Sequence, residues 1–133
     1  MEFWIALAAF IAIDIALVFF VLSKKRKNKF SESEQKKFQE HWHKIINEQD
    51  QSKAIMAADN LLDLVLRKKG YQGSLGEKLQ KARPLFSSNN DVWFAHKLRN
   101  RLAHELHAHV TGSESSKALH SFKKALLDLG IKL

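Results

Sequence analysis

The sequence predicts an all-α protein: an N-terminal transmembrane helix followed by an antiparallel bundle of four to five helices. Three observations carry that prediction. One uninterrupted apolar run opens the chain, and behind it apolar residues recur at spacings of three and four with no convincing period of two. The 133 residues also hold one proline and five glycines, so helix breakers are few.

The first element runs from Phe3 to Leu22 and is apolar except for Asp14. At about 1.5 Å per residue it reaches about 30 Å, the thickness of a bilayer's hydrocarbon core. Its thirteen Leu, Ile, Phe and Val residues favour insertion by about 4 to 8 kcal/mol, against a cost of about 2.5 to 3.5 kcal/mol for a central Asp. A cleaved signal peptide is the competing reading. It lacks support from a basic n-region or a small-x-small site after Leu22, and the apolar run is long for it. Lys24, Lys25, Arg26, Lys27 and Lys29 follow the span, whereas Glu2 and the terminal amine precede it. The positive-inside rule therefore expects the N-terminus outside and the C-terminal domain in the cytoplasm. Ala8, Ala12 and Ala16 form a smooth stripe of the kind that lets two membrane helices approach, though alanine also simply fills an apolar helix. Asp14, near mid-bilayer, calls for a polar partner or an oligomer contact. The expected division is an anchor over 1–23, a basic juxtamembrane tether over 24–30 and a helical bundle over 31–133.

With residues 1–29 set aside, Lys plus Arg number 17 (22 less 5) and Asp plus Glu 12 (14 less 2). The domain is basic in its own right, which favours anionic partners such as nucleic acid, nucleotides or lipid headgroups without choosing among them. Cysteine is absent, so disulfides, thiolate metal sites and a Cys nucleophile are excluded. Ser31 and Glu34 make a capping box for a helix to about Glu48, with Phe38, Trp42, Ile45 and Ile46 at helical spacing. A second helix spans about Ser52 to Lys69, with Ile55, Ala58, Leu62 and Val65 as a bundle seam and Gly70 as its C-terminal stop. Ser74 and Glu77 box a short helix through Ala82, which Pro84 discourages from continuing. Asn90 or Asp91 opens a fourth main element to about Leu106. Ser113 opens the last, with Leu119, Phe122, Leu126 and Leu129 as its seam and Gly130 as its end.

The helix from Asn90 carries the residues with chemical potential. Phe94, Ala95, Leu98 and Leu102 form its core stripe. Trp93, His96, Asn100 and His104 lie nearly opposite, an unusual set for a solvated face, so a second buried or ligand-facing surface is expected. Arg99 falls roughly 140° from His104 around the axis, and the two meet only if Arg99 wraps back, the helix end distorts or a second chain contributes.

Arg99-Asn100-Arg101-Leu102-Ala103-His104 fits an Arg-x4-6-His pattern with a polar residue directly after the Arg. In that motif, and in its helix order from about Ala54 to Gly130, the chain resembles the HEPN superfamily of helical bundles. The anchor lies outside the resemblance. What the resemblance implies is a homodimer that brings two motifs across a cleft and, in active members, a metal-independent endoribonuclease with no cofactor. A 2′-hydroxyl attacking the adjacent phosphate needs a proton acceptor near neutral pH and a cation for the phosphoryl oxygens. His104 would serve as base or acid, Arg99 as phosphate clamp and Asn100 as the hydrogen-bonding partner of either. Trp93, His96, Lys97 and Arg101 would line the binding groove. The alternative is a non-catalytic module that binds a nucleotide, an unknown protein partner or a second copy. In that case Arg99 pairs with an acidic neighbour, Asn100 satisfies backbone or a dimer contact, and His104 caps a frayed helix end.

Other patterns are weaker. His104, His107 and His109 with Glu105 fail the zinc protease template, which needs His where Ala108 stands, although His104 and His107 share a face. His41 and His43 flank Trp42 and point apart. No metal site is expected, and no Gly-rich phosphate loop, paired carboxylates or Ser-His-Asp order is recognisable. A lipid-surface role for the basic tether is a further reading.

Overall fold

The structure is a computed structural model. It describes the backbone of residues 1–27 and 29–133 and the side chains of residues 1–22 and 29–133. The basic cluster Lys24 to Lys27, expected to set topology, has its side chains outside that description. Two compact units divide the chain, 1–30 and 31–133, and no strand occurs among the described residues. In the first unit α1 runs Glu2–Lys27, past the predicted end of the anchor. Its stretch Glu2–Leu22 is long and apolar enough to cross a membrane, and none of it is buried.

The second unit contains α2 (Glu32–Ile46), α3 (Gln51–Lys68), the short α4 (Leu75–Lys81), a 3-10 turn at Arg83–Leu85, α5 (Asn89–His104) and α6 (Gly112–Asp128). Capping boxes start three of them. The Ser31 hydroxyl accepts from Glu34 N at 3.2 Å while Ser31 N donates to the Glu34 carboxylate at 3.0 Å; Ser74 with Glu77 and Thr111 with Glu114 repeat the arrangement. These backbone donations favour the carboxylate form and hold Glu34 and Glu114 below the usual carboxylate range.

Three predicted starts move. α5 begins at Asn89 behind Ser88, and not at Asn90 or Asp91. α3 begins at Gln51, one residue before the predicted Ser52, and is capped by Asp50, whose carboxylate accepts from Lys53 N at 3.1 Å. α6 is capped by Thr111 and not by Ser113, because Glu114 stands three residues after Thr111 and completes the box.

α3 is the hub: α2, α4, α5 and α6 all pack on it, and α6 also packs on α5. Its contribution, led by Ile55, Ala58, Leu62, Val65 and Leu66, is fully buried. Phe122, Ala125 and Leu126 of α6 and Phe38 of α2 complete the centre. The C-terminal tail is tied back to α2: Gln35 Nε2 donates to Gly130 O at 2.7 Å, and Lys132 N donates to Gln35 Oε1 at 3.0 Å.

Gly130 ends α6 at φ +92, which lets Gly130 N and Ile131 N donate to Leu127 O and Leu126 O. Gly70 ends α3 in the same way. No atom would meet a Cβ at Gly130, so the cost of a side chain there is backbone strain alone. Gly130→Ala is expected to destabilise by about 1 to 2 kcal/mol, read as a lower urea midpoint with an unchanged slope.

Candidate functional site

α5 differs from its predicted two-faced pattern. Its buried residues are Val92, Ala95, His96 and Leu98, while Phe94 and Leu102 are only half-buried. Phe94 lies toward the rim, where Lys117 Nζ stands 4.3 Å from its ring centre. The inward turn of His96 has a cause on α3. Asp59 occupies a core position there, its side chain 4% exposed, and a buried carboxylate is tolerated only when paired and hydrogen-bonded.

Three residues of α5 supply what Asp59 needs. His96 Nδ1 lies 2.9 Å from Asp59 Oδ1, and since a carboxylate only accepts, the ring nitrogen is the donor. Asn100 Nδ2 lies 3.3 Å from His96 Nε2 and donates to it. Arg99 Nη1 donates to Asn100 Oδ1 at 3.1 Å, and Arg99 Nε stands 3.2 Å from Asp59 Oδ2. This last is a charge contact off the line of a hydrogen bond, which leaves the buried Nε without an aligned acceptor. The four side chains close a ring: Arg99 to Asn100, Asn100 to His96, His96 to Asp59, and Asp59 to Arg99. An imidazole with its proton on Nδ1 fits both of its contacts, donating to Asp59 and accepting from Asn100. Trp93 braces the ring from outside, edge-on to His96 at 5.9 Å between ring centres and beside Gly76, whose Cβ position lies 3.7 Å from the indole.

The ring lines an open cleft of about 500 Å³ between α3, α5 and the start of α4, together with Asn60 and Asp63 of α3 and Ser74, Leu75 and Gly76. A second ion pair borders it. Lys78, buried on α4, donates to Asp63 at 2.7 Å. Each carboxylate of the cleft therefore faces a cation, and the site is close to neutral.

Arg99, Asn100 and His96 thus come together, with Trp93 behind them. His104 does not join them: it is exposed on the last turn of α5, and nothing bonds to its ring among the described residues. Arg101 is turned to Glu114, 3.1 Å away, and Lys97 is exposed. No group of three or more metal-binding side chains converges among the described residues.

Asp59 is the functional candidate that sequence reasoning missed. Its signal is present, since it lies among Ile55, Ala58, Leu62 and Leu66 on the seam of the bundle's most apolar helix, where a carboxylate is out of place. The chain matches no family model, no curated protein and no solved structure.

Proposed function

We propose that the protein is a membrane-anchored, HEPN-like binding module whose polar cleft takes a nucleobase-bearing ligand and does not cut RNA as a single protomer. The observation that carries this reading is the engagement of Arg99. Its charge is committed to Asp59, and His104 stands outside the cleft, so one chain offers neither a free phosphate clamp nor a base beside it. With Asp59 facing Arg99 and Asp63 facing Lys78, phosphate gains little from the cleft's field. What remains available is amide chemistry. Asn60 is exposed, and Asn100 keeps one N–H and one lone pair beyond the ring. An amide reads the paired donor and acceptor on a purine edge. The anchor is Glu2–Leu22, with the bundle in the cytoplasm following the cations after the span.

A second reading, the endoribonuclease, draws support from the open end of α5. His104 is exposed there and Leu106 is 96% exposed, so a second copy docking at this end would give His104 new neighbours, as the HEPN resemblance implies for a homodimer. One experiment separates the two. Full-length protein in nanodiscs is titrated with adenosine and adenosine monophosphate and, separately, incubated with RNA and a chelator. The binding module predicts similar affinity for the two ligands, weakening of about tenfold in Asn100→Ala, and intact RNA. Cleavage that leaves cyclic phosphate ends and disappears in His104→Ala overturns it in favour of the ribonuclease.

A further inference from the structure

A second concavity lies on another face of the bundle, along the seam between α2 and α3. It encloses about 460 Å³, and its floor is apolar: Ile45 from α2 and Ala57, Leu61 and Leu64 from α3. A smaller continuation of about 140 Å³ shares His41 and Leu64 with it and carries the furrow on toward Lys37 and Lys68. Cations stand along the rim. Lys44, Lys53 and Arg67 border the larger part and Lys37 the smaller; all four are exposed, and none forms an ion pair among the described residues. Of the carboxylates along the furrow, Glu48 accepts from Asp50 N and Glu34 pairs with Lys68.

We propose that this furrow is the docking site for an amphipathic helix of a protein partner, its apolar stripe in the furrow and acidic residues flanking the stripe. Shape and charge choose that occupant together. Lys53 and Arg67 are fourteen residues apart on α3, which separates them by about 21 Å, so the positive charge is spread along a line. A lipid headgroup needs cations gathered at one point. A single nucleic-acid strand needs a row of exposed rings for successive bases to stack on; here Phe38 is 2% exposed and the imidazole of His41 is the lone exposed ring among the lining residues. A second copy of this chain is disfavoured by its own net charge of +8. A helix of about four turns has the right length, and an apolar stripe at spacings of three and four is the ordinary way to fill such a groove.

The test uses full-length protein in nanodiscs of zwitterionic lipid and a fluorescent synthetic helix of about five turns, with a leucine stripe flanked by glutamates. The glutamate helix is expected to bind, and Lys44→Glu combined with Arg67→Glu to weaken it by at least about tenfold. The same double variant should gain affinity for a lysine-flanked version of the helix. Ala57→Asp, which puts a like charge on the exposed floor, should weaken the glutamate helix as well. All three positions are exposed, and unchanged circular dichroism checks that the variants fold. Peptide affinity indifferent to the double reversal overturns the proposal. So does failure of the helix to bind while anionic phosphatidylglycerol vesicles or oligouridylate bind and are lost in the same variant, which would give the furrow to lipid or to nucleic acid.

Discussion

Asp59→Ala is expected to destabilise the bundle by roughly 3 to 5 kcal/mol, the cost of breaking a buried ion pair from one side. The partners explain the size. His96 Nδ1 loses its acceptor and gains little water in exchange, since its side chain is only 11% exposed, while Arg99 loses the carboxylate facing Nε and is left partly hydrated at 29% exposure. A bundle of this length has of order 5 to 15 kcal/mol in total, so the melting temperature should fall by more than about 10 °C. Asp59→Asn keeps an oxygen that accepts from His96 and removes only the charge, so it should cost less, roughly 1 to 2 kcal/mol. Replacing Asp59 and His96 together with leucine should recover part of the loss, because apolar pairs of similar volume often replace buried ionic ones at little cost. Urea unfolding followed by circular dichroism measures all three. A loss below about 1 kcal/mol in Asp59→Ala would show that the ring does not hold α5 to α3.

The same substitution bears on binding. Asp59→Asn leaves Arg99 with an uncompensated charge at the cleft wall, so phosphate should begin to contribute to affinity there. The ratio of adenosine monophosphate to adenosine affinity is therefore expected to rise in Asp59→Asn. A ring that merely supports the fold would lower both affinities together and leave the ratio where it was.

How far the sequence could be read depends on how local each determinant is. Capping boxes are local, and Ser31 with Glu34 and Ser74 with Glu77 place their helices directly; Thr111 with Glu114 is equally local, and this box, not Ser113, sets the start of α6. The stops at Gly70 and Gly130 are local too, since a positive φ in the Schellman geometry is most cheaply supplied by glycine. The face of α5 was harder. Periodicity ranked Phe94 as core and His96 as outward because hydrophobicity sorted them, whereas the structure buries His96 and leaves Phe94 half-buried. That inversion is decided by Asp59, 37 residues away in sequence, a pairing that no window along the chain contains. Arg99 followed the alternative in which it pairs with an acid, and only the packing of α3 on α5 identified which acid.

Removing residues 1–30 is expected to move the protein from the membrane fraction to the soluble fraction without unfolding it. The second unit begins at Ser31, and the capping box that starts α2 lies wholly within it. The first unit carries the whole apolar run, long and apolar enough to cross a membrane, with side chains such as Phe10, Phe19 and Leu22 more than half exposed, and a run of that kind is expected to find its partner in hydrocarbon. Insertion is held below its full strength by Asp14, so Asp14→Leu should favour the inserted state by roughly 3 kcal/mol. The full chain is expected to resist carbonate extraction, with Asp14→Leu at least as resistant, and its intact mass should retain the N-terminal residues. Because the chain has no cysteine, Ser116→Cys, at an exposed position of α6, supplies a single reporter of sidedness. A membrane-impermeant maleimide should reach it only after the cells are opened if the orientation follows the positive-inside rule, which expects the side carrying the cations after the span in the cytoplasm. Labelling in intact cells would reverse the proposed orientation, and a mass lacking the apolar run would turn the anchor into a cleaved signal.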